Sequence, residues 1–109
     1  MSAEMKLPPL RERRGQTAVT HDPVTNEETR LVIEDEIHRT QTGCPEKDIV
    51  LQRLRYEGSA VIEYRLGYNI IGKRPQRKGK WVWGQYATFL PGCDLQAIVD
   101  EAKRRNWIV

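Results

Sequence analysis

Val61-Ile62-Glu63-Tyr64-Arg65-Leu66-Gly67-Tyr68-Asn69-Ile70-Ile71 carries the strongest local signal in this chain. Ile62, Tyr64, Leu66, Tyr68 and Ile70 alternate with Glu63, Arg65, Gly67 and Asn69, a period of two held over five apolar positions. Successive side chains of a strand point to opposite faces, so the pattern predicts a half-buried antiparallel strand. Downstream, Trp81-Val82-Trp83-Gly84-Gln85-Tyr86-Ala87-Thr88-Phe89-Leu90 predicts a second strand, with Gly84 marking a bulge. Gly72 to Lys80 is then the loop of a long hairpin covering about 60–90.

Two helices are expected to flank this hairpin. Pro45 suits the first position of a helix over about 46–57, because its missing N–H has no intrahelical partner there. Glu46 and Asp48 place negative charge at its positive end, and Val50, Leu51 and Leu54 form a stripe that ends at Gly58. A second helix over about 94–105 opens with Asp94 as cap. It carries Leu95, Ile98, Val99 and Ala102 on one face and ends before Asn106, with the apolar Trp107-Ile108-Val109 docked.

Upstream, His21-Asp22-Pro23 and Thr25-Asn26-Glu27 form a turn between a short strand at 17–21 and a second one over 29–34. A helix opened by a Thr25–Glu28 capping box, with Ile33 and Ile37 as its apolar contacts, is the competing reading of that second segment. Residues 1–16 contain Pro8-Pro9 and a charged run without apolar spacing, which predicts a flexible basic N-terminal tail. The expected architecture is therefore a single α+β domain over 17–109. At its centre stands a small antiparallel sheet built around the long hairpin, with the two helices covering it.

The chain has 109 residues, which fits one domain of ordinary size, with 30% charged and 39% hydrophobic residues and a net charge of +3. The longest stretch without a charged side chain, Trp81 to Cys93, falls short of the roughly 20 apolar residues a helix needs to span a bilayer. No secretory signal is read at the N-terminus, where Glu4 stands and no apolar run follows. Cys44 and Cys93 are far apart and read as free buried thiols of a cytoplasmic protein. His21, His38, Cys44 and Cys93 lack the close pairing of a metal site, and no cofactor is expected.

Charge is unevenly distributed: residues 17–57 sum to −4 and residues 58–109 to +5. The most concentrated feature is the hairpin tip, Gly72-Lys73-Arg74-Pro75-Gln76-Arg77-Lys78-Gly79-Lys80, with five cations and no anion. Such a tip suits DNA or RNA phosphates, which lysine and arginine hold by displacing condensed counterions. A loop made soluble by its charge is the plainer alternative. Arg104 and Arg105 at the end of the last helix, and Arg11, Arg13 and Arg14 in the tail, point the same way, although the helix dipole alone explains cations at a helix C-terminus.

Trp81 and Trp83 share one side of their strand beside this loop and are candidates for stacking on bases; core packing competes with that role. The expected function is a non-catalytic nucleic-acid-binding accessory protein that uses Lys73, Arg74, Arg77, Lys78 and Lys80, assisted by Arg104 and Arg105. A protein-interaction module, meeting a basic partner through Glu34-Asp35-Glu36 or pairing with a second copy, is the rival. Catalysis lacks a motif: His21 and Asp22 share a turn, and His38 follows an acidic run that a solvated face explains.

Overall fold

The computed structural model describes residues 7–84 and 86–107. Five strands form one antiparallel sheet in chain order: β1 (Thr17–His21), β2 (Glu28–Gln41), β3 (Cys44–Tyr56), β4 (Ile62–Ile71) and β5 (Trp81–Trp83). One helix, α1 (Gly92–Arg104), follows. The sheet is curled into a half-barrel. Its pairing between β2 and β3 slips between Ile33 and Asp35 and again between Thr40 and Gln41. Bulges of this kind increase local twist, which bends a long ribbon onto itself.

The expected sheet covered by two helices is overturned. Residues 46–57, read as a helix, lie in β3 but for the last one, and β3 is the central strand between β2 and β4. Asp48, Ile49, Val50, Leu51 and Gln52 are consecutive and all buried. A strand covered on both faces loses the apolar–polar alternation that identifies a half-buried one, so its apolar residues fell by accident into helical spacing.

Pro45 has a different role from the one expected. Gln41 pairs with Cys44 and Thr40 with Asp48, so residues 45–47 fall in an interruption of the β2–β3 ladder, where a missing N–H is tolerated. The chain reaches this point through a tight turn at Thr42-Gly43, with Gly43 at φ 79°, a conformation that costs glycine little.

The first hairpin forms as expected. Asp22 Oδ1 accepts the N–H groups of Val24 (2.8 Å) and Thr25 (2.9 Å), a local turn that brings β1 back along β2. The segment left between strand and helix is strand, and it runs on to Gln41. The 81–90 strand is shorter than expected. Pairing stops at Trp83, and Gln85 lies outside the described residues.

α1 has Pro91 as its N-cap, with no side-chain cap. Asp94, expected to cap it, instead ties the helix to the β2–β3 turn. Its fully buried carboxylate accepts the backbone N–H of Thr42 (2.8 Å), the Thr42 hydroxyl (2.8 Å) and Arg39 Nε (2.9 Å). The Thr42 N–H above all holds this carboxyl below its ordinary range, with the hydroxyl and Arg39 adding to it against the effect of burial.

At the other end Asn106 takes φ 62°, and Trp107 N–H reaches Ala102 O at 2.8 Å, closing the helix in a Schellman-type turn. Trp107 thereby enters the core, with Ile98 and Ala102 of α1 and Ile37, Ile49 and Leu51 of the sheet. Ile108 and Val109, which were expected to dock with it, lie outside the described residues. Among the described residues no helix is long and apolar enough to cross a membrane. Both cysteines are free thiols, Cys44 half-buried and Cys93 exposed rather than buried.

Candidate functional site

Residues paired across strands share a face, so the register divides the sheet into two sides. Ile37, Leu51 and Leu66 stand in one row on the helix side. The opposite side carries Glu36, Gln52 and Arg65 in one row, and Asp48, Asn69 and Trp83 in another. These polar groups are linked in sequence. Arg13 Nη2 donates to Asn69 Oδ1 (2.6 Å), and Asn69 Nδ2 donates to Asp48 Oδ2 (3.0 Å). Asp48 Oδ2 accepts from His38 Nδ1 (2.7 Å), and His38 Nε2 lies 3.3 Å from Glu36 Oε1. Glu36 Oε2 accepts from Gln52 Nε2 (2.7 Å), and Gln52 Oε1 accepts from Arg65 Nε (2.8 Å).

The circuit closes on an indole. The guanidiniums of Arg13 and Arg65 both lie over the ring of Trp83, at 4.8 and 5.1 Å from its centroid. Stacking of this kind fixes the planes of both cations. Gly67 makes room for the ring, since a Cβ there would overlap it.

His38 sits between two carboxylates, and its pKa is raised to about 9, first by the Asp48 bond and then by Glu36, against the opposing effect of burial. The imidazolium form, with both nitrogens donating, is therefore the species at neutral pH. Burial pushes the Glu36 carboxyl up, but His38 and Gln52 together outweigh it and leave Glu36 lowered. The acidic run that read as a solvated face is thus internally committed. Glu34 pairs with Arg55 (2.9 Å), Asp35 with Arg14 (2.8 Å) and Arg105 (3.0 Å), and Glu36 is buried.

Residues 7–16, the described part of the expected tail, run across this polar side as an arm. The Trp81 indole N–H donates to Pro8 O (2.7 Å), and Gly15 N–H and Gln16 O bond to Ile33 (2.7 and 2.8 Å). Leu10, Arg11, Glu12 and Arg14 line a small open pocket of about 180 Å³ with Glu36 and His38. Residues 1–6 lie outside the description.

Between the arm and the basic hairpin tip runs a groove of about 700 Å³. Arg11 and Arg13 of the arm and Arg74 and Arg77 of the tip line it, together with Tyr68, Trp81, Trp83 and Tyr86. Among the described residues that line it there is no carboxylate. The tip is shaped by its own backbone. Gly72 N–H donates to Lys80 O (2.9 Å), Arg77 N–H to Arg74 O (2.9 Å), and Lys80 N–H to Arg77 O (2.9 Å). The Arg77 backbone crosses Gly72 so closely that a Cβ on Gly72 would stand 2.5 Å from Arg77 O. This fold-back turns Arg74 and Arg77 towards the groove.

The predicted binding residues thus separate into groups. Arg74, Arg77, Trp81 and Trp83 meet in the groove. Lys73, Lys78 and Lys80 stay on the exposed tip, with Lys73 reaching back to Glu46 (3.0 Å). Arg104 and Arg105 do not line the groove. Arg104 pairs with Glu101, while Arg105 bonds Glu101 (2.8 Å), Asp35 (3.0 Å) and the Glu36 carbonyl (3.0 Å), tying the end of α1 to β2. Arg104 and then Arg105 pull the Glu101 carboxyl down to about 2.

Sequence reading missed Tyr68 and Tyr86 as groove residues, and it missed the His38 circuit. Tyr86 follows the strand by a few residues and carries no motif, and its exposure is visible only in the structure, so no sequence signal marked it. Comparison with known proteins returns no match: no family model fits the chain, and neither a curated protein nor a solved structure is similar to it.

Proposed function

We propose that the protein binds nucleic acid through the groove between the arm and the hairpin tip, holding the phosphate backbone with Arg74, Arg77, Arg11 and Arg13. The observation that carries this reading is the lining: among the described residues, four arginines and four aromatics without a carboxylate. Guanidinium forks match phosphate oxygens bidentately, and a wall free of acids leaves the local potential positive. Lys73, Lys78 and Lys80 on the tip add long-range attraction rather than fixed contacts. Arg104 and Arg105 are committed to carboxylates and assist only weakly.

The proposed role is one of binding without chemistry. His38 is held protonated with both ring nitrogens engaged, which leaves it without the free lone pair a general base requires. The acidic run, as a surface for a basic partner, is weakened by the internal pairs that Glu34, Asp35 and Glu36 make. The test is fluorescence anisotropy with labelled DNA and RNA over a salt series, on protein stripped of carried-over nucleic acid. Affinity should fall linearly with log salt. Replacing Arg74 and Arg77 by alanine should flatten that line by about 1.4–1.8 in slope, the release expected for two phosphates. An unchanged slope would remove the groove from the contact, and absence of binding at low salt would end the reading.

A further inference from the structure

The aromatic residues of the groove are not equivalent. The Trp83 ring is covered by Arg13 and Arg65, and the Trp81 indole N–H is bonded to Pro8 O. Tyr68 has the Lys47 ammonium 5.1 Å from its ring centroid, and a Cβ on Gly84 would overlap that ring, so the backbone lies against it. All three are half-buried, whereas Tyr86 is 82% exposed and still lines the groove. A large aromatic ring held in water at the edge of an arginine-lined groove offers an open π-face beside cations.

That combination selects among polynucleotides. The faces of paired bases are stacked on their neighbours inside a duplex, out of reach of a protein ring, whereas an unpaired strand can splay a base outward. A groove of about 700 Å³ has room for a short run of nucleotides along its floor. The flanking guanidiniums supply phosphate contacts on both sides of such a run: Arg74 and Arg77 from the tip, Arg11 from the arm. Arg13, anchored by Asn69 and Trp83, is pre-oriented before any ligand arrives.

We infer that the groove takes a single-stranded polynucleotide, with one base stacked on Tyr86 and the adjacent phosphates held by Arg74, Arg77 and Arg11. This rests on the phosphate-binding reading above and adds to it the strandedness of the ligand and a stacking residue. Alternation of cationic and aromatic contacts gives affinity with little dependence on sequence, because every base has a π-face.

The experiment uses the full chain with labelled oligo-dT, oligo-U and a mixed-sequence duplex, all measured by anisotropy at two salt concentrations. Single strands should bind at least about 10-fold more tightly than the duplex. Tyr86→Ala should weaken single-strand binding by about 5- to 150-fold, the equivalent of one lost base–aromatic stack, while leaving duplex binding and the salt slope unchanged. Tyr86→Phe should restore most of the affinity, since the ring and not the hydroxyl stacks. Tyr86 is exposed, and circular dichroism checks that its variants keep the native fold.

Equal affinity for duplex and single strands, or an unaltered Tyr86→Ala, would overturn this inference and leave the phosphate-binding reading standing. Failure of all three probes to bind at low salt would overturn both. A difference between oligo-dT and oligo-U reflects the sugar and the thymine methyl group together, and either preference supports the inference provided the duplex is weaker.

Discussion

The two sides of this sheet are built from alternate residues of the same strands, yet they are held together by different physics. On the helix side Ile37, Ile49 and Leu51 meet Ile98, Ala102 and Trp107, and the stabilisation is burial of apolar surface. On the other side Glu36, His38, Asp48, Gln52, Asn69 and Arg65 sit in the same rows of β2, β3 and β4, and the arm covers part of them. A buried charge there is tolerable only because each one is paired or hydrogen-bonded. The apolar side accepts changes of shape by degrees, while the polar side depends on the partners of its charges, even though Asp48 Oδ1 is buried without a hydrogen bond. The polar side is also the one that faces the groove, so the residues that orient Arg13 are the ones that set its stability.

The largest effect should come from breaking the polar circuit at its centre. Asp48→Ala removes the acceptor shared by His38 and Asn69 at a position 1% exposed and leaves the imidazolium with one fewer counter-charge. Loss of one partner of a buried ion pair predicts a cost of about 4 kcal/mol. Ile98→Ala on the apolar side should cost somewhat less, about 3 kcal/mol, as a cavity left by a fully buried aliphatic chain. Urea unfolding of both variants measures the contrast. If Asp48→Ala cost under 1 kcal/mol, the polar side would not depend on its partners in the way described.

The pH dependence sharpens the same comparison. The folded pKa of His38, about 9, stands above its ordinary 6.5. Its contribution is therefore complete below about pH 6.5 and disappears as pH rises through 9. The shift corresponds to about 2 kcal/mol once its partial exposure to solvent is allowed for. Glu36, depressed below its ordinary 4.5, acts in the opposite sense: its contribution is present above that value and fades as pH falls through the folded one. Unfolding free energy measured from pH 5 to 10 should fall on the alkaline side in the native chain and be flatter in His38→Gln. Equal alkaline losses in the two proteins would contradict the assignment of His38 as a protonated bridge.

A smaller effect is expected at the junction of circuit and groove. Gly67→Ala should displace the Trp83 ring and cost about 1–2 kcal/mol, with a shift in tryptophan emission as the Arg13 and Arg65 stacks are lost. The smallest change belongs to the exposed tip. Lys78→Ala with Lys80→Ala should leave stability within about 0.5 kcal/mol while lowering the attraction for polynucleotides at low salt.

The legible parts of the fold were those marked by a short-range sequence pattern. The alternation over Ile62 to Ile70 revealed β4 as a strand, although Leu66 and Ile70 are exposed while Gly67 and Asn69 are buried, and the Asp22 turn announces itself by local chemistry. β3 was illegible for the opposite reason. Its covered polar face places Asp48 and Gln52 beside Ile49 and Leu51, and a buried polar residue looks in sequence like a surface one. The same ambiguity hid the site. Glu36 belongs to a run that reads as solvated, and its burial depends on Gln52, 16 positions away, and on the arm.

By itself the sequence determined the basic tip between two strands, the terminal helix with its Asn106 exit, and the first hairpin, because these follow from local charge, local turns and short-range periodicity. Tertiary structure alone decided that residues 46–56 form the centre of the sheet and that Asp94 anchors the β2–β3 turn. It also decided that two of the five tip cations, Arg74 and Arg77, face a groove completed by the arm. Each of those outcomes depends on partners brought from far along the chain, and the free energy of a buried charge or a covered strand is set by those partners and not by its neighbours in sequence.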